Sequence, residues 1–137
     1  MSTRMKLTRR TALAGFAAVT GLAAVAPSPA GAFALPERAG DRDLADRALR
    51  MFSRPNDARR VGFACQGHAD LCRPREVLVD TIFGAERDRL AGSADAEIHG
   101  WLRGRIRRDF AEGRTVKVEG WVLAETEARL YALAAQA

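Results

Sequence analysis

Lysine, serine, cysteine and long apolar runs are all scarce in this chain of 137 residues, and each scarcity removes a class of protein. No segment approaches the roughly 18 to 20 unbroken apolar residues that a membrane-crossing helix needs, so no stable span is expected. Beyond residue 32 the only serines are Ser53 and Ser93, neither has a histidine close by in sequence, and no Gly-x-Ser-x-Gly elbow occurs. A glycine-rich phosphate loop after a strand and a His-Glu-x-x-His helix are also missing. Nothing in the linear pattern therefore announces a hydrolase, a nucleotide-binding enzyme or a metalloprotease. Two cysteines, Cys65 and Cys72, are too few for a disulfide scaffold but enough for one bridge.

Basic charge is present, at +5 overall with a pI near 10.2, and it is unevenly placed. Residues 1–32 hold four of the 22 lysines and arginines and no acid, which leaves 18 bases against 17 acids in the remainder. A nearly neutral domain does not supply the net basic face that nucleic-acid affinity requires, and no nucleic acid is expected as a partner. Its bases are arginines apart from Lys117.

The front of the chain has the order of an export signal. A basic stretch (1–10, MSTRMKLTRR) precedes an apolar one (11–26, TALAGFAAVTGLAAVA) and a small-residue exit (27–34, PSPAGAFA). Sixteen helical residues at 1.5 Å each fall short of the roughly 30 Å hydrocarbon core, and Gly15, Thr20 and Gly21 weaken the stretch further. Ala30 and Ala32 place small side chains three and one before a cut after Ala32, with Ala34 as the second position. The segment Thr8-Arg9-Arg10-Thr11-Ala12-Leu13 resembles the twin-arginine motif, with Ala12 where an aromatic is usual.

That resemblance implies a cargo folded before transport, handled by the twin-arginine translocase and a signal peptidase and delivered to the periplasm. Such cargo is often a cofactor-loaded redox enzyme or a small partner carried with one. The expected organisation is a signal peptide over 1–32, a flexible leader over 33–40 and a single domain over 41–137.

In that domain the apolar spacing is mostly helical. Leu44, Ala45, Ala48, Met51 and Phe52 form a stripe after Asp41 or Asp43, predicting a helix to about Ser53. Further helices are predicted from Asp57 to Cys65, from Pro74 to Gly84, and from Ser93 through Ile98, Trp101, Leu102, Ile106 and Phe110. At Thr115 the period changes to two, and Gly120 permits a tight turn, so a short hairpin is expected before a last helix from Glu125 to Ala135. Glu125 and Glu127 suit that helix's first turn, where the dipole favours carboxylates. The fold expected is a small, mainly α orthogonal bundle of four or five helices with one β-hairpin before the C-terminal helix. Arg103, Arg105, Arg107 and Arg108 read as a solvated face pairing with Asp109 and Glu112.

One cluster could carry chemistry: Cys65, His68 and Cys72. On a continuous helix all three share a face and could meet a soft metal, but the cysteine Cα atoms would then stand about 10.5 Å apart, too far for a disulfide. Gly67 and Asp70 weaken such a helix, which favours a loop closed by a Cys65–Cys72 disulfide; free thiols and a metal site stay open. His99 reads as a boundary residue, and Trp101 and Trp121 as core or interface anchors. With no cofactor or catalytic residue expected, the reading is a non-catalytic accessory or small subunit of a larger periplasmic oxidoreductase. The alternative is a small metal- or thiol-redox protein acting through Cys65, His68 and Cys72.

Overall fold

A computed structural model describes residues 40–137, which fall within one compact unit. The export motif at Arg9 and Arg10, the cleavage positions Ala30 and Ala32, and the leader up to residue 39 lie outside the described residues. The chain runs α1 (Asp41–Leu49), α2 (Pro55–Cys65), α3 (Arg75–Phe83), a 3₁₀ turn (Gly84–Glu86), α4 (Arg87–Ala91), α5 (Asp95–Ala111), β1 (Thr115–Val118), β2 (Trp121–Ala124) and α6 (Glu125–Ala134). It is mainly helical, with five helices of nine residues or more and a two-stranded antiparallel hairpin before the last, as the periodicity predicts. The five-residue α4 was not foreseen, and α1 stops at Leu49, short of Ser53. No described helix is long and apolar enough to cross a membrane.

Apolar stripes from every helix meet in one core. Leu44 and Ala48 of α1, Leu78 and Ile82 of α3, Ile98 and Leu102 of α5, and Leu130 and Leu133 of α6 are almost wholly buried. Phe83 stacks on Trp101 with ring centroids 5.8 Å apart, which makes Trp101 a core anchor. The tightest seam joins α2 to α6. Gly62 is buried there, and a Cβ at that position would stand 2.0 Å from the Tyr131 carbonyl oxygen. Only a residue without a side chain lets the two backbones approach so closely. Beside this seam Tyr131 stacks on Phe52 with ring centroids 4.9 Å apart.

Helix α5 shows how phase decides burial. At about 100° per residue, Arg105 and Asp109 lie roughly 20° from Ile98 around the helix, whereas Phe110 lies roughly 120° away. Asp109 is accordingly buried and Phe110 is exposed, so the apolar stripe does not extend to Phe110 as expected. Ser93 also differs from its expected part. Its hydroxyl donates to the Arg89 carbonyl at 3.0 Å, finishing α4, and the residue before α5 is Ala94, with no side-chain cap. Arg47 closes this corner. It donates to the Ala91 and Ser93 carbonyls and pairs with Asp95 at 2.7 Å, joining α1 to the α4–α5 bend. These contacts, with Arg50, hold the Asp95 carboxyl below its usual range. The His99 Nε2–H donates to the Arg47 carbonyl at 2.8 Å, a half-buried boundary position as expected.

Candidate functional site

The cysteine region builds neither geometry considered from sequence. Helix α2 ends at Cys65, and successive turns follow, with His68 N–H donating to the Cys65 carbonyl at 3.0 Å and Cys72 N–H to the His68 carbonyl at 2.9 Å. Both cysteines are free thiols, so the expected disulfide is not made. Cys65 points into the core, where burial pushes its thiol up, while Cys72 sits at the surface. Leu71, between them, is the residue this loop contributes to the core. Among the described residues no three His, Cys, Asp or Glu side chains converge as a metal would require, so Cys65, His68 and Cys72 are not brought together as ligands.

The hairpin supplies what the linear pattern could not place. Pairing of Val118 with Trp121 and of Val116 with Leu123 puts these four side chains on one face, since alternate strand residues point the same way. Two residues close the turn, Glu119 (φ 46°) and Gly120 (φ 89°), both left-handed as a type I′ turn demands. Glycine meets that demand freely, while Glu119 does so at a cost of about 1 kcal/mol.

At the base of the hairpin this face is sealed against the bundle. Asp109 is buried at 3% exposure and accepts three bonds: from the Thr126 N–H at 2.9 Å and from Arg114 Nη2 and Nε at 2.8 and 3.0 Å. Thr126 is buried too, and its hydroxyl accepts from Arg105 Nε at 3.2 Å. Arg105 lies 5.4 Å above the Trp101 ring. Burial alone would raise the Asp109 carboxyl, but the Thr126 and Arg114 bonds outweigh it and hold the group below its usual value. Burial, and repulsion from Arg129, Arg114 and Arg108, lower Arg105 against the pull of Asp109. A carboxylate at the start of α6 also meets the positive end of its dipole.

At the tip the same face is divided: Val118 is buried against the core, and its neighbour Trp121 is left uncovered. Trp121 is 75% exposed, and Phe63, across from it on α2, is 58% exposed. Between them runs an open groove of about 750 Å³, lined by Val61 and Ala64 from α2, Val118 and Leu123 from the strands, and Tyr131 from α6. Asp57, Arg60 and Glu119 line it as well. Burial and then the neighbouring Glu127 raise the Tyr131 phenol. Val122, on the opposite hairpin face, is 57% exposed. The groove combines an apolar floor, aromatic walls and a few charges, the make-up of a surface that excludes water when a partner covers it.

No protein-family model, curated protein or solved structure matches the chain.

Proposed function

We propose that this protein is an exported, non-catalytic accessory subunit that docks on a larger chain through the groove between α2 and the hairpin. The observation that carries this reading is the pair Trp121 and Phe63, two large aromatic side chains left in solvent on either side of the groove. Exposing such area is unfavourable in a lone domain, and tryptophan is the side chain most enriched among residues that dominate binding. The twin-arginine resemblance supports export as a folded protein and makes a periplasmic redox enzyme the partner proposed.

The test is affinity capture from the native periplasm with the wild-type protein and with Trp121→Ala. We expect the wild type to retain one larger cofactor-binding redox chain and the variant, still folded by circular dichroism, to lose it. Retention of that chain by folded Trp121→Ala, or capture of no redox chain by the wild type, overturns the proposal.

A further inference from the structure

We propose that the outward face of α5 is a second protein-binding surface, one that receives an acidic surface of a partner through Arg103, Arg107 and Arg108. Each acid on or just after α5 is taken by an arginine that does not belong to the helix. Asp95 pairs with Arg47 and Arg50 of the α1 end, Glu97 with Arg89 of α4, and Asp109 and Glu112 with Arg114 beyond the helix. Arg105 turns inward to Thr126 and Trp101. Arg103, Arg107 and Arg108 are exposed and have no hydrogen bond or ion pair among the described residues. The pairing with Asp109 and Glu112 expected from the sequence is thus not made, because Arg114 holds both carboxylates.

What remains is a cationic helix face on a domain whose charges otherwise nearly cancel. At about 100° per residue Arg103 and Arg107 lie roughly 140° and 180° from Ile98, away from the core, and Arg108 lies roughly 80° from it on the exposed flank of the helix. Around them sit Ala96 and Gly100, both exposed, and a Cβ added at Gly100 or Gly104 would touch nothing within 4 Å. This low relief lets a partner backbone come close enough for its carboxylates to reach the guanidinium groups. Guanidinium forks suit carboxylates, which they bind through two parallel bonds. A membrane is the weaker fit, because Phe110 is the one large apolar side chain exposed on this helix and an interfacial helix needs a broad apolar face.

The proposal is tested with poly-glutamate as the probe and the protein expressed as the full chain. Three forms are compared: wild type, Arg103→Gln/Arg107→Gln/Arg108→Gln, and a charge-matched control at exposed positions outside the groove, Arg54→Gln/Arg73→Gln/Lys117→Gln. Vesicles of phosphatidylglycerol and phosphatidylcholine form a parallel arm. The expected result is salt-sensitive binding of poly-glutamate by the wild type, weakened about tenfold in the α5 variant and within about twofold in the control. Thermal unfolding of the α5 variant should match wild type, since the three side chains hold nothing in the fold. The proposal is overturned by no wild-type binding, by equal loss in both variants, or by binding confined to the vesicles.

Discussion

The two ends of the hairpin, built from ten consecutive residues, are treated in opposite ways. At its base, where Ala124 runs into α6, a buried carboxylate is satisfied by two arginine nitrogens and a backbone amide, and the apolar face is closed. At its tip, Trp121 stands in solvent above a groove that the fold leaves open. The base spends a buried charge on holding α5 and α6 together, which works because every lone pair that matters is met. At the tip only about a quarter of Trp121 is covered. The contrast separates side chains that keep the fold from side chains that stay available to something else.

The largest effect should come from breaking the α2–α6 seam, which lies outside both ends of the hairpin. Gly62→Val drives a side chain into the Tyr131 carbonyl across the α2–α6 seam, and a loss of more than about 3 kcal/mol is expected, beyond ordinary overpacking because backbone must move. Urea denaturation would show it as a lowered midpoint or as failure to fold.

Breaking the base alone should be smaller. Asp109→Asn removes the charge that Arg114 and the Thr126 N–H are arranged around, at an expected cost of about 2 kcal/mol. The pH dependence identifies the cause. Because the folded Asp109 carboxyl titrates below its unfolded value near 3.9, its stabilisation is fully present above about pH 4 and is lost as pH falls through the folded value. The variant should lose less stability than wild type on acidification below pH about 4, followed by thermal melts across that range.

At the tip, Trp121→Ala should change stability by no more than about 0.5 kcal/mol, because the side chain is three-quarters exposed. A fall of several kcal/mol would mean that Trp121 belongs with the base. The smallest effect concerns the loop between α2 and α3. Cys72→Ser should leave the melting temperature unchanged, and a thiol reagent should modify Cys72 in the native protein but reach Cys65 only on unfolding.

The helices and the hairpin were legible because they follow from local spacing. The 3.6-residue recurrence of Leu44 and Ala48, or of Leu130 and Leu133, and the alternation of Val116 and Val118 are properties of neighbouring residues. The base of the hairpin was not legible. The spacing assigned Asp109 to the solvated arginines of α5; Arg114, five residues on, is a local partner, but Thr126 meets Asp109 only after the hairpin folds back. Gly62 gave no local signal either, since its purpose is the approach of a helix some seventy residues further on. Cys65 and Cys72 misled for the same reason: their spacing permits a bridge, but the core claims one side chain and the surface the other. The groove was hidden because exposure of Trp121 depends on how far the hairpin tip projects, which alternation alone does not set.

The central claim is that Trp121 at the tip is free of the fold while Asp109 at the base carries it, and one paired measurement tests this most directly. Thermal unfolding and periplasmic capture are recorded side by side for Trp121→Ala and Asp109→Asn. The account predicts a wild-type melt with lost capture for the first, and a lowered melt with capture retained below its melting temperature for the second. A destabilised Trp121→Ala that still captures its partner would contradict it.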